Sequence, residues 1–309
     1  MAKLNTKTRG RITWRQELKM HGELYWLMTP FFILYFLMTV LPVVVAIGLS
    51  FTYYNMLETP SFVGLQNYVN LFVSDEIFGI SMRNTLLFSL ITGPLGYILC
   101  FILAWLINEF GHSVRVILTL FFYAPSLAGA SVYFIWQFIF SGDAHGFING
   151  ILMNIGLVNE PIQWLTDTQY TFAVLIIVQL WMSLGTGFLS FIAGLQGVDG
   201  SLYEAGSIDG VKNRLQEMFF ITIPMMKPQL LFGAIMQISA SFSVSTLSTQ
   251  LFGATSTNYS THTIVLHMND YGTVRYEMGY ACAIAVVLFM MMLIFKTLVN
   301  FILRYVAND

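Results

Sequence analysis

The chain is poor in charge. Asp, Glu, Lys and Arg make up 10% of its 309 residues, against roughly 25% in an average soluble domain. Hydrophobic residues reach 56%, and the mean hydropathy is +0.70. A soluble fold of this length would leave apolar atoms facing water. That excludes a soluble enzyme, a nucleic-acid binder and a disordered chain, and leaves an integral membrane protein. Cysteine is also scarce. Cys100 and Cys282 lie in apolar runs, with no CxxC pair and no His beside them. They read as buried free thiols, which excludes a disulfide scaffold. A GxxxxGK[ST] loop and an HExxH helix are both missing, so neither P-loop nucleotide binding nor zincin chemistry is encoded.

What is present is six apolar stretches, each long enough to cross roughly 30 Å of hydrocarbon as a helix. They cover about 26–51, 84–108, 114–140, 171–195, 229–253 and 280–303. Their apolar character is continuous rather than alternating, which favours helices over barrel strands. The first is too long for a signal-peptide core and is expected to remain in the mature protein. The expected organisation is a basic tail over 1–25, a six-helix domain over 26–303 with a polar loop at 196–228, and a short tail over 304–309.

Orientation follows from Lys and Arg. Lys3, Lys7, Arg9, Arg11, Arg15, Lys19, Arg115, Lys212, Arg214, Lys227, Lys296 and Arg304 fall on one side, against Arg83 and Arg275 on the other. Both termini and the 196–228 loop are therefore expected in the cytoplasm. The outer loops carry Glu58, Asp75, Glu76, Asp143, Glu160, Asp167, Asp270 and Glu277.

The span centres hold no charge, whereas ion-coupled carriers commonly bury an Asp, Glu or His. His21, His112, His145, His262 and His267 all fall in loops or tails. His262 and His267 are expected as surface imidazoles rather than a metal pair. The spans do contain uncharged polarity. Residues 237–250 are rich in Ser and Thr over more than one helical face. Small-residue packing accounts for this, and so does a wet face lining a path for a neutral, hydroxyl-rich solute. Tyr133, Trp136, Gln137, Gln179, Trp181, Gln237, Ser241 and Ser245 are the candidate path residues. Amides, hydroxyls and aromatic faces without charge suit a sugar. Pro42, Pro94, Pro125 and Gly185 admit kinks inside the spans.

The 196–228 loop is too polar to enter the membrane and too patterned for a linker. Ser201-Leu-Tyr-Glu204 fits a capping box, with Ser201 as N-cap. Asp209-Gly210 breaks that helix. Asn213 caps a second helix whose apolar stripe is Leu215, Met218 and Phe219, and Pro224 ends it. The result is a helix–turn–helix along the membrane face, either an interfacial pair or an element that docks into a groove of a soluble subunit.

Glu204-Ala205-Gly206-Ser207-Ile208-Asp209-Gly210, followed by Phe220-Ile221-Thr222-Ile223-Pro224, resembles the EAA motif of permease subunits of ABC importers. The form is that of the carbohydrate branch, the maltose- and glycerol-phosphate-type permeases. Phe62-Val-Gly64-Leu65-Gln-Asn67-Tyr68 ahead of Asn84-Thr85 resembles the same branch. The resemblance covers about residues 24–306. It departs at Gly206, where the family has a second Ala. It also departs in the thirteen residues between Gly210 and Pro224, one more than the common spacing.

The resemblance implies an all-α polytopic membrane protein of the type I ABC importer permease fold, non-catalytic itself, in a bacterial or archaeal plasma membrane. Glu204 would pair with a basic residue of an ATPase subunit, Gly210 would permit the turn, and Ala205 and Gly206 would permit close approach. Asp209 and Pro224 complete the motif. Implied partners are a second permease subunit, two ATP-binding-cassette ATPases that carry ATP and Mg, a surface solute-binding protein, and a sugar, with an oligosaccharide favoured. This chain would hold no cofactor or metal and bind no nucleic acid. The alternatives are a permease for another small polar solute such as glycerol phosphate, or a stand-alone secondary carrier.

Overall fold

The computed structural model describes residues 14–129 and 131–308. Most of the expected basic tail therefore lies outside the described residues. Helix α1 (Trp14–Tyr35) and helix α2 (Leu41–Leu49) are joined by a π-turn at Phe36–Val40. Pro42 accounts for that turn. It has no N–H for the carbonyl of Met38, and its ring would press against it, so one wider turn relieves both. A short hairpin follows, β1 (Thr52–Tyr53) antiparallel to β2 (Ser61–Phe62), with Thr52 opposite Phe62. The chain then runs through α3 (Gln66–Val69) and a π-turn at Asn70–Ser74 into α4 (Glu76–Asn108).

Helix α4 starts eight residues before the expected Asn84, because the Asp75 carboxylate caps it and accepts from Phe78 N at 2.9 Å. The third span is expected as one helix over 114–140. The structure divides it into α5 (His112–Leu127) and α6 (Ser131–Ile139), 94° apart, with residue 130 outside the described set. Pro125 and the positive φ of Gly129 (57°) explain the end of α5. After α7 (Phe147–Asn154), the fourth span is α8 (Thr168–Met182) and α9 (Thr186–Gln196), interrupted at Ser183–Gly185. The polar loop holds α10 (Gly200–Ile208), α11 (Arg214–Glu217) and α12 (Ile223–Met225), the last two joined by a π-turn at Met218–Thr222. Pro224 follows this π-turn as Pro42 follows the first, so it widens the helix instead of ending it. The break comes at Met226, where the 214–225 segment turns 84° into the next helix.

The fifth span, expected unbroken over 229–253, is α13 (Lys227–Phe242) and α14 (Thr246–Phe252), parted at residues 243–245. Ser241 Oγ bonds back to the carbonyl of Ile238 at 2.9 Å just before the break, a local competitor to the helical ladder. Helix α15 (Ile264–Asn269) and a π-turn at Asp270–Val274 lead to α16 (Met278–Asn308). No breaker interrupts α16, so the expected tail over 304–309 is helical through Asn308.

Four stretches are long and apolar enough to cross a membrane, Gly22–Leu49, Glu76–Asn108, Thr168–Gln196 and Met278–Phe301, or up to six if each bent pair is one span. Helices α4, α9 and α13 form the central seam. The ring of Phe191 occupies the place a Cβ at Gly233 would take, and the Gln237 amide does the same at Gly96. Small residues thus let the backbones approach. Phe101, Ala104, Phe188, Phe191 and Met226 fill one end of the seam. Leu71, Phe78, Phe242, Ile264 and Ile284 fill the other. From Leu24 onward, the apolar side chains of α1 lie on the surface.

Candidate functional site

The polar loop is held as a compact helix–turn–helix. Asp199, not the expected Ser201, caps α10; its carboxylate accepts from Ser201 N at 3.0 Å. That backbone bond holds the Asp199 carboxyl below its ordinary range. The helix starts earlier than the capping box indicates because Asp199 offers a stronger acceptor two residues upstream. Gly210 then takes φ 96°, and Val211 N bonds to the carbonyl of Gly206 at 2.9 Å. This is a glycine-terminated helix end, closed to β-branched and bulky residues. A Cβ on Gly206 would stand 2.6 Å from Ile221 Cδ1. At this glycine α10 lies directly on the Met218–Thr222 π-turn. Tyr203 and Thr222 join the two arms through their hydroxyls at 3.0 Å.

Asn213 caps α11 as expected, accepting from Gln216 N at 2.9 Å. Arg214 pairs with Glu217 at 2.7 Å and with Glu109, beyond the end of α4, at 3.4 Å. Glu204, Ala205, Asp209, Gly210 and Pro224 are exposed, as are Ile208, Leu215, Phe219 and Phe220, and Gly206 is buried. The loop therefore presents a carboxylate, a turn and an apolar patch on one accessible element. Such a surface suits docking into a groove of a partner.

The candidate path residues fall into two groups. Trp136 meets Trp181 edge to face at 5.3 Å and stacks on Phe140 at 5.7 Å. Tyr133 is buried in the same cluster. Gln137 donates to the carbonyl of Gln250, which ties α6 to α14. Gln237 and Ser241 face α4 instead. Gln237 Nε2 donates to the carbonyl of Thr92 at 3.2 Å, and Ser89 Oγ donates to that of Ser241 at 3.3 Å. Gln179 is buried on α8, and Ser245 is half-buried at the α13–α14 break.

One cluster escaped the sequence reading. His267 and His262, expected at the surface, are 1% and 3% exposed. The segment 259–267 folds back over the start of α4. Asn84 donates to the carbonyls of Tyr259 (2.9 Å) and His262 (3.0 Å), and Ile264 N donates to Thr85 Oγ1 at 2.9 Å. Asp75 Oδ2 then receives His267 Nε2 at 2.9 Å and Tyr280 OH at 2.8 Å. Burial pushes the Asp75 carboxyl up, but the bonds from Phe78, His267 and Tyr280 outweigh it and hold it below the ordinary range. Burial, then the neighbouring His267, pushes the His262 imidazole down to about 4. A carboxylate 192 residues from its imidazole has no local spacing to find it by.

No protein-family model matches the chain. Among characterised proteins, it is 30% identical over 283 residues to the Bacillus subtilis "Probable ABC transporter permease protein YesP", covering 88% of this chain and 89% of that one. It is 29% identical over 272 residues to the arabinooligosaccharides transport system permease protein AraP of Halalkalibacterium halodurans, covering 88% and 84%. A solved bacterial alginate ABC transporter, in complex with an alginate pentasaccharide-bound periplasmic protein, contains a chain of the same fold. Its TM-score is 0.75 at 20% identity, over 96% of this chain and 99% of that one. The match to YesP along nearly its whole length places this chain in the family of ABC transporter permeases.

Proposed function

We propose that this chain is one permease subunit of a sugar importer, forming half of the path for an oligosaccharide across the plasma membrane. The observation that carries the reading is the docking element at 199–225, with Glu204, Asp209 and Gly210 exposed on a rigid turn. In this reading it seats on one of two ATPase subunits, which bind ATP and Mg. Both termini lie with it in the cytoplasm, in keeping with the Lys and Arg distribution. Closure of the ATPases pushes the element, and its 84° junction with α13 carries the push into the spans as a rigid-body switch between two states. A second permease chain completes the path, and a solute-binding protein delivers sugar at the opposite end.

Three features support a neutral sugar. The relative AraP is named for arabinooligosaccharides. The Trp136–Trp181 pair offers aromatic faces to sugar C–H groups. The third, fourth and fifth spans are all interrupted, and irregular backbone at membrane depth persists only where protein or a cavity covers it. Calorimetric screening of the cognate binding protein against neutral and acidic oligosaccharides tests the substrate. The loaded binding protein is then added to the reconstituted transporter. Stimulated ATP hydrolysis with a neutral sugar is expected. Stimulation by an acidic solute alone overturns the neutral-sugar reading.

A further inference from the structure

A recess lies at the end of α4 farthest from the 199–225 element. It measures about 710 Å³ and is built by β1, α3, the start of α4 and the segment leading into α16. Four tyrosines line it, Tyr53, Tyr54, Tyr271 and Tyr280, together with the carboxylates Asp75, Glu76 and Glu277. No Lys, Arg or His is among the lining residues. The nearest guanidinium, Arg275, is engaged with Asp270 at 2.8 Å and lies 4.3 Å over the Tyr271 ring. Glu76 and Glu277 have no ion-pair partner among the described residues. The walls are fixed in place. The Asp75 side chain is 9% exposed and holds α4, α15 and α16 together through Phe78 N, His267 and Tyr280. Tyr271 packs on Tyr280 at 4.4 Å.

Aromatic faces carry negative charge density, and a cation above them is attracted further when carboxylates stand at the rim. Glu76 and Glu277 stand exposed at the rim, so a cation is drawn toward them and an anion is repelled. The volume lies within the range of sites that enclose a ligand and admits the tip of a loop rather than a single ion. The wider surface agrees. On the outer loops of the charge reading, eight acidic side chains stand against Arg83 and Arg275. We propose that this recess receives a Lys- or Arg-bearing loop of the solute-binding protein, so that a preformed acidic–aromatic socket orients the delivering partner over the path. The proposal rests on the importer reading above and names the chemistry by which the partner is recognised.

The test uses the reconstituted full transporter in nanodiscs and its sugar-loaded cognate binding protein, with affinity measured at two salt concentrations. Paired Glu76→Gln and Glu277→Gln substitutions are expected to weaken binding about tenfold at low salt and to flatten its salt dependence, as loss of rim charge does. Glu277→Lys is expected to weaken it further. Glu160→Gln, an acidic change outside the recess, is the control and is expected to leave the affinity unchanged. Variants that bind like the wild type overturn the socket, as does a Glu160→Gln loss equal to the paired loss, which would make the effect one of overall charge. If the wild type itself does not bind the protein and its ATP hydrolysis is not stimulated, the importer reading fails instead. Thermal midpoints of the purified variants separate lost binding from lost folding.

Discussion

The two ends of α4 are built on opposite principles. At the Asp75 end, a buried carboxylate receives three donors from α4, α15 and α16, and Asn84 and Thr85 stitch the 259–267 segment to the same helix. At the Asn108 end, the polar link to the 199–225 element is the Glu109–Arg214 pair at 3.4 Å, with side chains 39% and 65% exposed, beside an apolar contact in which Met218, Ile223 and Met226 meet the cluster around Ala104 and Ile107. Breaking a buried, hydrogen-bonded charge cluster leaves uncompensated polar groups in low dielectric, whereas an exposed ion pair is screened and replaced by water. The first end therefore fixes the shape of the protein. At the second, the ion pair exchanges readily with water, while the apolar contact keeps the element against α4.

Asp75→Ala is the strongest way to break this contrast. It strands His267 and Tyr280 as buried donors and removes the cap of α4, and is expected to cost about 3–5 kcal/mol of stability. The thermal or denaturant midpoint of the purified chain checks it. A loss below that of Glu109→Gln would reverse the comparison.

Acid should act at the same end. The Asp75 carboxyl is held below its unfolded value, so its stabilisation is present above that value and is lost as pH falls through the folded one. His262 is held at about 4 against an ordinary 6.5, so between those values the unfolded state binds a proton that the folded state does not, and stability falls as pH drops. Allowing for partial exposure, the expected loss from pH 7 to pH 4.5 is about 1–2 kcal/mol. Unfolding midpoints across that range measure it, and His262→Gln should remove most of the slope. A slope that persists in that variant assigns the acid sensitivity to another group.

Gly210→Asp probes the other end. The left-handed backbone at φ 96° costs a non-glycine residue about 1 kcal/mol, so the chain should still insert and purify. Uptake in cells, however, should fall more than tenfold if, as proposed, this turn presents Glu204 and Asp209 to an ATPase subunit. Unchanged uptake would sink the docking assignment. A small loss of stability with a large loss of function is the signature expected of this end.

The sequence made one of these ends readable and hid the other. The helix–turn–helix at 199–225 was visible because each of its signals is local: Asp209-Gly210 for the turn, Asn213 for a cap, an apolar stripe at helical spacing. The first cap was misplaced by two residues, since Asp199 and Ser201 are both competent caps and sequence does not rank them by geometry, and the stop expected at Pro224 came two residues later, at Met226. The six apolar stretches were visible for the same reason. The interruptions after Leu127, at 183–185 and at 243–245 were partly so, because Gly129, Pro125 and Gly185 permit a break without requiring one. The buried cluster was hidden because Asp75, His267 and Tyr280 meet only through tertiary folding. A histidine in a polar loop reads as solvated until its carboxylate is found 192 positions away. Likewise, Gln237 and Ser241 share their spans' polar pattern with Trp136 and Trp181, and only the packed structure turns them toward α4.

The smallest expected effect is the sharpest check on the contrast. Glu109→Gln removes an ion pair whose partner Arg214 keeps Glu217 at 2.7 Å. The guanidinium is therefore neither buried nor left alone, and stability should change by no more than about 0.5 kcal/mol. If the pair only steadies the resting position of the docking element, the ratio of ATP hydrolysed to sugar transported should shift by about twofold at low salt and return to the wild-type value at high salt, where the pair is screened. The exchanged variant, Glu109→Arg with Arg214→Glu, should restore the low-salt ratio if the contact itself matters, although Glu217 then faces a like charge and full recovery requires Glu217→Gln as well. A loss of several kcal/mol in the single variant would show that this end is as firmly built as the Asp75 end. The division of labour along α4 would then have to be given up.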